Sequence, residues 1–253
     1  MSVATTSSNS KFISLKLLPD MMEGKFSVHN QLKTVSTFDE LINTKFQGAV
    51  NAIGWQRNLE GDFKEIVAKL ELKENVSAVA VDELLDLSLT KEGELARDII
   101  LQDLKLLEAL GALPALNLIK CYERDEEFAF ISTDVYSYHI DRSPVAVDTF
   151  LCTYHGAASE IIPNDQAEQQ ILIPEIRQKL QSLYDGPAAG FEDFLKAHFF
   201  DLHYQLKSGA KPINLGVGNL WKLAVDHPEQ QVLPCIHRAP LENEGEYRLL
   251  LIC

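Results

Sequence analysis

The sequence predicts an α+β fold: a mainly helical N-terminal layer over residues 11–115, then an antiparallel β unit over residues 116–253 with a helical insertion at 163–209. Three observations carry this. Helical periodicity and capping signals dominate before Pro114. Short runs rich in β-branched and aromatic residues dominate after it. One stretch between Pro163 and Gly209 returns to helical spacing.

Residues 1–10, MSVATTSSNS, are small and polar with no periodicity, and are expected to form a disordered tail and not a targeting peptide. Thr37-Phe38-Asp39-Glu40 matches a capping box with Thr37 as N-cap, so a helix is expected to run to about Phe46. Gly48 to Arg57 is a short apolar stretch that reads as a buried strand. Asp62 can cap a helix to about Leu72, with Phe63, Ile66, Val67 and Leu70 on one face. The strongest helix signal covers Glu94 to Leu110, where Ala96, Ile100, Leu104, Leu107 and Leu110 recur at helical spacing and Gly111 follows as terminator. The β-type runs are Leu116–Tyr122, Phe128–Thr133, Val145–His155, Pro212–Val225, Val232–Arg238 and Tyr247–Cys253. Inside the insertion, one helix begins near Pro174 and another spans about Phe191 to Leu206.

Composition narrows the function classes. At 253 residues, 46% hydrophobic and 24% charged, the chain has the makeup of one large globular domain. A net charge of −14 with no basic stripe argues against nucleic acid and anionic membranes as partners. A small-molecule substrate or a basic protein segment fits that charge better. The four cysteines have no CxxC spacing, which suggests free thiols in a reducing cytoplasm. No run approaches the ~18 apolar residues that span a bilayer. Gly216-Val217-Gly218 precedes a β-type run, so it is not a phosphate cradle. No G-x-S-x-G elbow supports a serine hydrolase.

The chemistry concentrates in SYHIDRSP. On a strand, residues two apart point to one face, ~7 Å apart at Cα, so His139 and Asp141 can aim an imidazole and a carboxylate at one point. A third ligand must come from elsewhere, and His237 in PCIHRAP is the best candidate. Two histidines and one carboxylate on one face of an ion leave the other face open, which suits Fe(II). The same donors could hold Zn(II) in a non-catalytic binding protein. Arg248 lies eleven residues after His237, in the last β-type run. A buried arginine there could grip the far carboxylate of 2-oxoglutarate, since its planar fork makes two parallel hydrogen bonds. Arg238 and Arg142 compete for that role. Strict alternation over 145–155 puts Tyr154 and His155 on opposite faces. Tyr154 inside would donate its hydroxyl to an acid; His155 inside would instead give a three-histidine site with His139 and His237. His198 and His203, five apart on an expected helix, would not share a face.

H-x-D, a distal histidine and an arginine about ten residues later resemble the Fe(II)/2-oxoglutarate dioxygenases over roughly residues 128 to 253. That resemblance implies a double-stranded β-helix, the cupin or jelly-roll type of core, with Fe(II) and 2-oxoglutarate as cofactors. It implies His139, Asp141 and His237 as metal ligands and Arg248 as the cosubstrate clamp, assisted by Tyr154. The chain is also similar to an uncharacterised bacterial family of domain-of-unknown-function type, with the pattern NxAxWxR, HxD, CTYxG, HRSP and RLLL. Val50 to Arg57, His139 to Asp141, Cys152 to Gly156, His237 to Pro240 and Tyr247 to Leu250 carry that likeness in order, with Ala239 where the pattern has serine.

Overall fold

A computed structural model describes residues 30–253. The expected 1–10 tail, and the N-terminal layer up to residue 29, lie outside the described residues. The chain begins β1 (Leu32–Val35), α1 (Phe38–Asn43), β2 (Ala52–Trp55), α2 (Phe63–Lys69), β3 (Val76–Ala78), α3 (Val81–Leu85) and α4 (Lys91–Glu108). It continues with β4 (Ala115–Ile119), β5 (Tyr138–His139), β6 (Asp148–His155) and β7 (Glu160–Ile162). The insertion carries β8 (Ala167–Gln169), α5 (Pro174–Ser182), α6 (Phe191–Ala197) and β9 (His203–Leu206). The last strands are β10 (Ile213–Asn214), β11 (Leu220–Ala224), β12 (Ile236–Arg238) and β13 (Arg248–Ile252). Among the described residues no helix is long and apolar enough to cross a membrane.

The strands form two sheets. One is seven-stranded in the order β1-β2-β11-β6-β13-β4-β3; the other is six-stranded in the order β10-β7-β12-β5-β9-β8. All pairings are antiparallel except β1 with β2. From β4 to β7, and again from β10 to β13, successive strands alternate between the two sheets.

Period-two patterning divides the core into layers. On β13, Leu249 and Leu251 pack with α2 and α4 residues such as Ile66, Ile100, Leu104 and Leu107, on the helical side of the seven-stranded sheet. Leu250 joins Leu151, Trp221 and Leu223 against Ile161 and Cys235 of the other sheet. Arg248, two residues before Leu250, shares that inter-sheet side. Each register slip would exchange these sets, so burial on both faces fixes the pairing.

The caps read from sequence are present. Thr37 Oγ1 accepts from the Glu40 N–H at 3.1 Å, and Asp62 Oδ1 accepts from the Glu65 N–H at 2.9 Å. Gly111 has φ 81°, the left-handed geometry of a helix terminator. Gly54 has a different reason to be glycine. It pairs with Trp221, and a Cβ there would lie 2.7 Å from the indole ring. Gly54→Ala is therefore expected to destabilise the fold by ~1–3 kcal/mol through overpacking, measured by denaturant unfolding.

Four elements differ from the sequence reading. The N-terminal layer is not only helical, because β1, β2 and β3 extend the seven-stranded sheet at both edges. Helix α1 stops at Asn43 and not Phe46; the buried Lys222 ammonium takes the free Thr44 carbonyl at 2.7 Å. Phe128–Thr133 is not a strand. Asp125 accepts from the Thr133 N–H and hydroxyl, and Asp134 accepts from the Asp125, Tyr136 and Ser137 N–H groups. These side chains satisfy the backbone that a ladder would otherwise need. The expected helix over Phe191–Leu206 ends at Ala197, where Phe199 turns into the left-handed region at φ 60°. The chain then becomes strand β9, so the 163–209 insertion adds β8 and β9 to the six-stranded sheet as well as its helices.

Candidate metal centre

His139 closes β5, and His237 lies in the middle of β12, its direct antiparallel partner. That pairing stacks the two imidazoles on one face, with ring centroids 4.5 Å apart. Asp141, two residues after His139, turns its carboxylate to the same point. Its Oδ2 lies 3.6 Å from His237 Nε2. One donor atom from each of the three residues lies within 4.8 Å of the others.

The neighbouring backbone sets the tautomers. His139 Nδ1 donates to the Ser137 carbonyl at 2.8 Å, and His237 Nδ1 donates to the Cys235 carbonyl at 3.1 Å. A carbonyl oxygen can only accept, so each Nδ1 carries a proton, and in the neutral form of either ring the lone pair is on Nε2. Asp141 is oriented by Thr149 on β6, whose hydroxyl donates to Oδ2 at 2.6 Å. Burial, and next the proximity of His237, push the His139 pKa down to about 4. Burial opposes ionisation of Asp141, but the imidazoles and the Thr149 hydrogen bond hold its pKa below the usual carboxylate value. Two imidazoles that can each offer Nε2, beside one carboxylate, form a donor set suited to a divalent cation, which binds their deprotonated nitrogens.

This arrangement is compatible with metal binding. An ion with bonds of ~2.1 Å places adjacent donors ~3 Å apart, so a small closure of the three side chains suffices. Thr149→Val keeps the β-branched shape and removes the hydroxyl. It is expected to weaken divalent-metal binding ~10–100-fold with little change in fold, measured by titration calorimetry.

Arg248 lies on the inter-sheet side, 4% exposed. One Nη2 donates to Thr153 Oγ1 at 3.1 Å and to Ser159 Oγ at 2.7 Å. Its Nε has no hydrogen-bond partner, and among the described residues no carboxylate pairs with it. Desolvation lowers its pKa, while the Tyr122 hydroxyl and the more distant Glu242 carboxylate act the other way. A buried guanidinium held only by neutral hydroxyls, with an idle donor, is costly unless an anion completes it. Thr149, Leu151 and Thr153 alternate along one face of β6, so the arginine and the triad address the same inter-sheet space.

The other candidates lie elsewhere. Arg238 directs Nε and Nη2 to Glu160 Oε2 at 3.0 and 2.7 Å and stacks on Tyr138, on the opposite face of β12 from His237. Arg142 is held by Asp201 and Asp226. Neither is free to clamp a cosubstrate. Tyr154 faces the helices, stacked on Phe63 with ring centroids 5.4 Å apart. Its hydroxyl donates to Asp103 Oδ2 at 2.7 Å, and Asp103 also pairs with Arg57 at 2.7 Å. His155 is not inside either; its Nε2 lies 3.3 Å from Glu246. Tyr154 keeps strict alternation with Cys152, but that side is the helical one. Only His155 departs from alternation, and a bulge explains it. Leu250 pairs with Thr153 and Leu249 with His155, so Tyr154 is the extra residue and His155 shares the side of Leu249. The Arg57–Asp103–Tyr154 network binds α4 to the sheet. Beside it the Cys152 thiol is pushed up to about 12 by burial and is a core group, not a nucleophile.

One residue near the triad was missed. His203 pairs with His139 across β5 and β9, and the two ring centroids are 5.7 Å apart. The Phe191–Leu206 helix reading hid it. The signal was the alternation in His203-Tyr204-Gln205-Leu206, where the odd positions are more polar.

No protein-family model matches this chain, and neither a curated protein nor a solved structure is matched by it.

Proposed function

We propose that the protein is a non-haem Fe(II)/2-oxoglutarate-dependent oxygenase acting on a small molecule. The observation that carries this reading is Arg248: a buried arginine with no carboxylate in salt-bridge contact among the described residues, facing the same inter-sheet space as the His139–Asp141–His237 cluster. A site that only stored or sensed Zn(II) would have no use for it. The strand order adds support. Within the two sheets, β4-β13-β6-β11 and β5-β12-β7-β10 are contiguous, and the eight strands alternate between sheets along the chain except at the β7-to-β10 step, where both lie in the six-stranded sheet. That is the winding expected of a double-stranded β-helix.

His139 Nε2, His237 Nε2 and one Asp141 oxygen would hold the metal. Thr149 keeps the carboxylate aimed, and the Ser137 and Cys235 carbonyls keep both imidazoles in the ligating tautomer. Arg248, steadied by Thr153 and Ser159, would receive the distal carboxylate of 2-oxoglutarate. Bound together, Fe(II), 2-oxoglutarate and dioxygen supply C–H oxidation: one oxygen atom enters the substrate as hydroxyl, the other enters succinate, and carbon dioxide leaves. The protein's part is orientation and exclusion of water.

Anaerobic addition of Fe(II) and 2-oxoglutarate to the full chain tests this. A weak visible charge-transfer band that needs both components, followed by succinate formation in air, is the expected result. Tight Zn(II) binding with no response to 2-oxoglutarate would instead mark a non-catalytic metal site.

A further inference from the structure

Beside the triad lies a cavity of about 240 Å³ whose wall includes His139, Asp141, His203, Phe199, Leu202 and Val135. Two of these residues are unusual for reasons the metal does not explain. His203 is 4% exposed, yet its Nδ1 has no hydrogen-bond partner. A buried polar atom left unpaired is unfavourable. Phe199 is a bulky residue at φ 60° and is 60% exposed. Left-handed backbone at such a residue is itself unfavourable. That turn ends α6, starts the short helical turn into β9, and sets the aromatic ring at the cavity wall. The unpaired His203 nitrogen is a conflict that a hydrogen-bonding molecule would resolve, the turn at Phe199 holds an exposed ring on the same wall, and His203 lies beside His139.

The charges on this wall restrict the ligand. Arg142 lines the cavity, but its guanidinium is held by Asp201 and Asp226. Asp134 and Asp141 contribute carboxylates. A carboxylate or phosphate would meet no free cation here. A neutral imidazole offers one donor and one acceptor, which matches a hydroxyl or an amide.

We infer that this cavity is the primary-substrate pocket, and that it takes a small molecule whose apolar body rests on Phe199, Leu202 and Val135 and whose neutral hydroxyl or amide hydrogen-bonds His203. The word "substrate" rests on the oxygenase reading; the binding of a neutral polar ligand at His203 does not.

The test uses two probes with the same alkyl chain, pentan-1-ol and pentanoate, on the metal-free full chain. Imidazole resonances of histidine-labelled protein are followed by NMR, and His203→Phe identifies the His203 signal. Saturable movement of the His203 and His139 signals by pentan-1-ol is expected, with pentanoate far weaker at His203. In His203→Phe the alcohol should bind about tenfold more weakly, the size of one hydrogen bond. Phe199→Gly removes the ring while suiting the left-handed backbone. It should weaken the alcohol several-fold without loss of thermal stability, which separates ligand contact from folding. Equal response to pentanoate, or no response of His203 to the alcohol, overturns the inference. Alcohol binding at His203 in a chain that takes up neither metal nor 2-oxoglutarate would uphold the pocket and defeat the oxygenase reading. Uptake of both with an unresponsive His203 would do the reverse.

Discussion

Replacing His237 with alanine is expected to abolish stoichiometric divalent-metal binding. The residue is placed by β12, which is paired on one side with β5 and on the other with β7. Backbone pairing on both sides should survive loss of the ring. What disappears is one of three donors, and with it the only link from the triad to β12. Loss of a supporting hydrogen bond behind a ligand typically weakens a site ~10–100-fold; loss of the ligand itself should exceed that range. The folding cost should be limited to the Nδ1 bond to the Cys235 carbonyl, ~0.5–1.5 kcal/mol. Titration calorimetry with Mn(II), alongside denaturant unfolding of the metal-free chain, separates the two. His155→Ala is the control. That side chain faces Glu246 on the other side of the bulge, so metal binding should be unchanged.

Arg248→Met should have opposite effects on stability and on cosubstrate binding. An arginine that served the fold would be held by a carboxylate, and its removal would destabilise the protein. Arg248 has two hydroxyl partners and an unpaired Nε. A hydrophobic side chain of similar length removes the desolvation penalty, so the metal-free variant should be as stable as the parent or more stable, by up to ~1–4 kcal/mol. Affinity for 2-oxoglutarate should fall by ~2–5 kcal/mol, the usual cost of truncating one partner of a buried charge pair. Mn(II) affinity should not change. Arg248→Lys should recover only part of the loss, because a point charge cannot make the paired hydrogen bonds of the guanidinium. A thermal-shift series with and without 2-oxoglutarate reads both effects, since a ligand that binds only the folded state raises its melting temperature.

Local signals in the sequence were legible and non-local ones were not. The caps of α1 and α2 and the apolar stripe of α4 follow from spacing within a few residues, and each is present. That His139 and Asp141 point the same way follows from strand periodicity; donor chemistry singles out His237, and the fold brings it within 4.8 Å of both; Arg248 is buried. Tyr154 was misjudged because alternation fixes which residues share a face but not which face looks between the sheets. His155 was misjudged because one inserted residue reverses the face of everything beyond it, and a bulge leaves no mark in the residue types of its own strand. His203 was hidden because the short link between helix α6 and strand β9 turns at a left-handed Phe199, which carries none of glycine's usual warning. The joining of β1–β3 to the larger sheet was equally unreadable. Partners such as Trp55 and Leu220 are brought together only by the completed fold.

The claim beneath all of this is that segments almost a hundred residues apart hold one ion. Crystals grown without chelators and loaded anaerobically with Mn(II) and 2-oxoglutarate test it directly by anomalous diffraction. The account predicts a single anomalous peak within ~2.0–2.3 Å of His139 Nε2, His237 Nε2 and an Asp141 oxygen, with the distal carboxylate of 2-oxoglutarate on Arg248. A triad without a peak, or an ion bound elsewhere with Arg248 still unpaired, would contradict it.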